Sequence, residues 1–94
     1  MKKQEEIFKR DLSKVDGTYT KLLTDNYVLI TDLGNDVRID LPNYIKRISS
    51  IVEPATDTPA KRNFLMKLHQ KRSKFEAMLY VSNAWLNGSG LGTI

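Results

Sequence analysis

The chain has 94 residues, of which 40% are hydrophobic and 28% are charged, with a net charge of +4 and no cysteine. This length fits one small domain, and this composition excludes a largely disordered chain. The lack of cysteine excludes disulfides, thiolate nucleophiles and cysteine-ligated zinc. The longest apolar run has four residues, and the lysine-rich start lacks the apolar stretch of a signal peptide. We therefore expect no membrane span and a protein of the cytoplasm, or of an assembly formed there.

The first predicted element is an amphipathic helix over residues 2–15. Its apolar residues recur at helical spacing and form one stripe: Ile7, Phe8, Leu12 and Val15. Gly17 follows, and glycine readily adopts the left-handed conformation that ends a helix. The sequence thus predicts a helix that stops before residue 18.

The next part of the chain has the composition of strands. Three segments are rich in β-branched and aromatic residues: 18–24, 27–33 and 37–41. Val37, Ile39 and Leu41 alternate with polar residues, as in a half-buried strand. Gly34 and Asn35 both tolerate positive φ, which favours a tight turn. We predict a β-hairpin over 27–41, which the first segment would extend to a three-stranded antiparallel meander.

The second half of the chain is predicted to be helical. After Pro42 a short helix is expected over residues 43–52, and 53–60 resemble a linker. Thr58 and Pro59 have the pattern of an N-cap and a first helical residue. A long helix is then predicted from Pro59 to about Asn87. The predicted fold is α+β, with one domain over 1–87 and a glycine-rich tail over 88–94.

The long helix carries apolar residues on two faces. One stripe, predicted to face the core, contains Phe64, Leu65, Leu68, Phe75, Leu79 and Leu86. The second face and the apolar residues of the tail are predicted to bind a protein partner: Met78, Val81, Trp85, Leu91 and Ile94. One small domain has difficulty covering both faces of such a helix, which favours a partner.

No residue pattern indicates catalysis, a metal or a cofactor. His69 is the only histidine, and no serine stands in the strained elbow that a hydrolase triad needs. Asp32, Asp36 and Asp40 recur every four residues, but this spacing differs from that of a calcium loop. For Asp32 and Asp36 we favour turn geometry over metal binding, and for Asp40 a position facing water. We interpret the chain as a non-enzyme.

The densest basic run lies at 60–75. Lys67, Lys71 and Lys74 are spaced by four and three, and with Arg47, aided by Lys46, they are the candidate nucleic-acid-binding residues. The alternative, which we favour, is a solvated helix exterior. Arg72 falls near the core-facing stripe, so it should pair with Glu76 or Asp40 or face another chain.

Two functions follow from these patterns. The first is a small structural or accessory subunit of a larger protein assembly, such as a virus particle, which binds a protein partner or a second copy. The alternative is a basic regulatory protein that binds nucleic-acid phosphates nonspecifically. The sequence favours the first function.

Overall fold

The computed structural model describes the backbone of residues 19–89 and the side chains of residues 19–86. This part of the chain contains five helices and no strand: α1 (19–25), α2 (Tyr27–Asn35), α3 (Leu41–Val52), α4 (Pro59–His69) and α5 (Lys74–Ser89). The α+β prediction is therefore wrong. The predicted N-terminal helix over 2–15, together with Leu91 and Ile94, lies outside the described residues.

The predicted strands 18–24 and 27–33 fall in α1 and α2, apart from residue 18, which is not described. Ile30 and Leu33 lie three residues apart and share one face of α2, whereas Leu23 lies in α1. Leu23 and Leu33 are buried, and Ile30 packs against the same core. Burial of this face outweighs the strand preference of the β-branched residues, because β propensity depends strongly on context.

The predicted hairpin turn at Gly34 and Asn35 is the last turn of α2. A Cβ atom at Gly34 would lie 2.9 Å from the Cε atom of Met78 in α5. Glycine at this position therefore allows α2 and α5 to approach closely, and its conformational freedom is not used for a turn.

The connection from α2 to α3 contains the residues that alternate like a strand. Val37 is 95% exposed, whereas Ile39 and Leu41 pack against the core. Arg38 donates to the Asp36 carboxylate through its backbone N–H at 2.9 Å and through its guanidinium. Asp40 caps α3, since its carboxylate accepts from the Asn43 N–H at 3.0 Å. The alternation thus reflects a turn and a cap in place of a strand.

Helices α3 and α4 begin as the sequence predicts. The predicted 43–52 helix begins two residues earlier, with Pro42 in its first turn. Thr58 caps α4 by accepting from the Lys61 N–H at 3.1 Å, and Pro59 is the first helical residue. The Lys61 ammonium also donates to the carbonyl oxygens of Glu53 and Ala55. This lysine therefore secures the chain that joins α3 to α4.

The predicted long helix is broken at residues 70–73. Ser73 begins a new helix, since its hydroxyl accepts from the Glu76 N–H at 3.1 Å, and the Glu76 carboxylate accepts from the Arg72 N–H. This arrangement resembles a capping box. The rings of Phe64 and Tyr80 stack with centroids 5.2 Å apart, so α4 and α5 fold against each other as a helical hairpin.

The core lies where the helices meet. Its buried members are Leu23, Leu33, Tyr44, Ile45, Ile48, Val52, Phe64, Leu68, Ala77 and Val81. Helix α3 contributes four of them, more than any other helix. Tyr19 of α1 also stacks on Phe64, with centroids 5.1 Å apart, and forms an aromatic cluster with Phe64 and Tyr80. Contacts with helix α3 and among these aromatic rings therefore position the other helices and their exposed faces.

Candidate functional site

The outward face of α5 carries large apolar side chains in water. Phe75 is 73% exposed and Leu79 is 52% exposed, whereas Ala77 and Val81 on the opposite face are buried. Half-buried Leu86 lies on the same side as Phe75 and Leu79, since 75, 79, 82 and 86 share one helix face at about 100° per residue. We call Phe75, Leu79, Ser82 and Leu86 the outward stripe. An apolar stripe of this kind is typical of a contact surface.

The break at 70–73 exchanges the two predicted faces of this helix. Phe75 and Leu79 were predicted to continue the core stripe of Phe64 and Leu68, but a helix that restarts at Lys74 does not keep that register. Of the predicted partner-binding residues, Val81 is buried, and Met78 and Trp85 pack against the core. Met78 and Trp85 are each only partly exposed.

Met78, Val81 and Trp85 line a cleft of about 180 Å³ between α2 and α5. The rings of Tyr27 and Trp85 stack across it with centroids 4.9 Å apart. The Trp85 Nε1–H is buried and has no hydrogen-bond partner among the described residues. Tyr44 also lines the cleft, and burial raises its pKa to about 12, so its phenol stays neutral. The cleft is therefore lined by packed aromatic rings, and the Trp85 Nε1–H is a hydrogen-bond donor without a partner in the described part of the chain.

The three lysines of the predicted basic ridge lie in different elements and make different contacts. Lys67 is exposed on α4, but Lys71 lies in the turn after α4, where its ammonium sits 4.7 Å from the centre of the Tyr80 ring. The Lys74 ammonium donates to the Asp36 carbonyl oxygen at 2.7 Å and so joins the start of α5 to the end of α2. Arg72 is exposed in the turn, and only its backbone N–H contacts Glu76. The helix break thus gives each lysine a different environment.

A second candidate surface is an open groove of about 600 Å³ between α3 and the end of α4. Its lining residues are Leu41, Pro42, Ile45, Lys46, Ser49, Ser50, Glu53, His69 and Lys71. The Ser49 Oγ and His69 Nε2 atoms are 3.3 Å apart and form a hydrogen bond across the groove. Arg47, the fourth predicted basic residue, is exposed on α3 and does not line the groove. We call this surface the basic groove.

The Ser49–His69 pair was not predicted, because the two residues are twenty positions apart and no motif links them. Nucleophilic catalysis would need an acid to orient the histidine, and Ser49 is the one residue whose side chain hydrogen-bonds to it within the described part of the chain. No group of three or more histidine, aspartate or glutamate residues that could share a metal ion is found in residues 19–89. Asp36 and Asp40 instead serve turn and cap geometry.

Comparison with protein families, with characterised proteins and with solved structures gives no match for this chain. Among the helices of the described region, none has the length and apolarity needed to cross a membrane. Function must therefore be argued from the outward stripe and the basic groove.

Proposed function

We propose that the chain is a small non-enzymatic subunit of a larger protein assembly, and that the outward stripe of α5 is its assembly contact. The observation that carries this proposal is the exposure of Phe75 and Leu79, one turn apart. Full burial of a side chain of this size stabilises a complex by about 1.5–3 kcal/mol. The fold gains little from leaving these side chains in water, whereas an interface would gain from covering them.

The spacing of the stripe indicates what kind of surface would cover it. Positions 75, 79, 82 and 86 follow steps of four, three and four, the spacing at which one helix packs along another. No charged side chain lies on the stripe, so two like faces would not repel each other there. We infer that the first partner is a second copy in antiparallel orientation, with Phe75 of one copy opposite Leu86 of the other. Small Ser82 near the centre would allow close approach.

The test is absolute mass by light scattering after gel filtration, at low and high salt. We expect an oligomer that resists salt, because an apolar contact is not screened by ions. Leu79→Glu should reduce the mass to that of the monomer. The matched control is Met66→Glu on α4, since Met66 is 53% exposed and Leu79 is 52% exposed. A monomer at every concentration, or equal effects of the two variants, would contradict this contact.

The alternative function, nonspecific nucleic-acid binding, stays a prediction. It is supported by Arg47 and Lys67, which are exposed and form no ion pair within the described part of the chain. Binding of this kind should weaken steeply as salt increases. Titration with a fluorescent oligonucleotide at two salt concentrations tests it separately from the mass measurement.

A further inference from the structure

The basic groove holds two cations that the fold leaves unneutralised. Lys46 lies on α3 and Lys71 lies in the turn after α4, so they approach the groove from different elements. Within residues 19–86 the ion pairs are Lys21–Asp25, Arg38–Asp36 and Arg62–Asp57, and neither groove lysine takes part in one. Two unpaired ammonium groups on one concave surface attract an anion.

The positions of the groove donors are partly fixed before any ligand binds. The Lys71 ammonium is held over the Tyr80 ring, a cation–π contact that limits its freedom. Ser49 and His69 are joined by their hydrogen bond, which orients both side chains at the groove surface. Pre-ordered donors reduce the entropy that binding would otherwise cost. This arrangement favours a ligand with several acceptor oxygens, as in a phosphate group.

The two ends of the groove differ in polarity. Leu41, Pro42 and Ile45 give the end near the start of α3 an apolar floor, whereas Glu53 gives the other end a negative charge. Glu53 is seven residues from Lys46 along the helix, about 10 Å at the usual rise. A phosphate would therefore lie near Lys46 and Lys71 and away from Glu53, and any apolar part of the ligand would extend over Ile45.

We propose that the basic groove is a binding site for the phosphate group of a small phosphorylated molecule. The site uses Lys46 and Lys71 for charge and the Ser49–His69 pair for hydrogen bonding. The groove shares no residue with the outward stripe. Phosphate binding and self-association can therefore be tested independently.

The experiment is an NMR titration of the full chain with pyrophosphate and, separately, with adenosine monophosphate. Sodium chloride keeps the ionic strength constant. We expect saturable shifts of the amide signals of Ser49, Ser50, His69 and Lys71. Lys46→Gln should weaken binding about threefold to fivefold, the effect of one exposed ionic contact. Lys67→Gln, which removes an exposed lysine outside the groove, should leave the affinity unchanged.

Lys71→Gln should weaken binding to a similar extent, and Lys71→Arg, which keeps the positive charge, should restore it. The proposal is overturned if Lys46→Gln and Lys67→Gln weaken binding equally, because the chain would then respond only to total charge. It is also overturned if neither small phosphate gives saturable shifts, including the case in which an oligonucleotide alone binds and moves the signals of Arg47 and Lys67.

Discussion

Helices α3 and α5 use their apolar residues in opposite ways. Helix α3 buries four large side chains, Tyr44, Ile45, Ile48 and Val52, and presents polar residues to water. Helix α5 buries Ala77 and Val81 but leaves Phe75 and Leu79 exposed. The large apolar residues of α3 therefore build the core, whereas Phe75 and Leu79 of α5 do not contribute to it. An apolar side chain that the core does not need is better explained by a contact outside the chain.

Core truncation in α3 should give the largest effect and tests this comparison directly. Ile48 is fully buried, so Ile48→Ala should lower the free energy of unfolding by about 2–5 kcal/mol, through lost burial and the cavity left behind. The measurement is urea denaturation followed by circular dichroism and by the fluorescence of Trp85, the single tryptophan.

Leu79→Ala is the matched change in α5. Because Leu79 is half exposed, the free energy of unfolding of the monomer should change by no more than about 0.5 kcal/mol. The urea titration must be run at a concentration where the chain is monomeric, since self-association would add stability. Comparable losses in the two variants would show that α5 supports the fold as much as α3, and the comparison would fail.

Removing the N-cap of α3 or of α5 should lower the free energy of unfolding by less than the core truncation does. The two losses should be similar to each other. Asp40→Ala removes the cap of α3 and Ser73→Ala removes that of α5, and each should cost about 1 kcal/mol. Ser73→Ala is the sharper test, because this cap separates α5 from α4 and turns Phe75 outward. Ser82→Ala, in the exposed middle of α5, is the control. Because Ser82 lies on the outward stripe, it is measured where the chain is monomeric, and there it should be nearly neutral. If Ser73→Ala leaves the free energy of unfolding unchanged, the packing of Tyr80 alone maintains the interruption between α4 and α5.

The parts of the fold that could be predicted are those with local signals. Thr58–Pro59 and Pro42 marked the starts of α4 and α3 because caps and first-turn prolines act within a few residues. The hairpin prediction failed because Gly34 and Asn35 allow a turn without requiring one. In the fold Gly34 serves a contact with Met78, forty-four residues away, which no local pattern records.

The candidate site was predictable to the same extent, through its local signals and not through its tertiary contacts. The sequence indicated that the last helix is apolar on two faces, but it placed Phe75 and Leu79 on the core side, and the structure leaves both exposed. The missed signal was Ser73 with Glu76, a cap pattern inside a run that otherwise reads as continuous helix. Once that cap ends the register of α4, Phe75 leaves the core side. The basic groove could not be predicted at all, because Ser49 and His69 meet only through tertiary packing.

The smallest expected effect concerns Asp36, whose turn leads into α3 and contacts the start of α5. Two contacts meet there: Arg38 binds the Asp36 carboxylate, and Lys74 of α5 binds the Asp36 carbonyl oxygen. The hydrogen bonds from the Arg38 side chain and backbone lower the pKa of Asp36 from 3.8 to about 2. Since the folded pKa is below the unfolded one, the ionised carboxylate stabilises the fold above about pH 4. That contribution is lost as the pH falls towards 2.

Asp36→Asn tests this pH dependence. Asparagine can still accept from the Arg38 N–H, so the variant removes the charge and keeps the turn. The free energy of unfolding of the natural chain should exceed that of Asp36→Asn at pH 5, and the two values should converge between pH 4 and pH 2. The difference should be small, because the Arg38 side chain is 86% exposed and the pair is screened by water. Arg38→Gln removes the guanidinium but keeps the backbone N–H that donates to the Asp36 carboxylate, so it should reduce the pH dependence without abolishing it. A constant difference down to pH 2 would mean that the pair with Arg38 does not lower the pKa of Asp36.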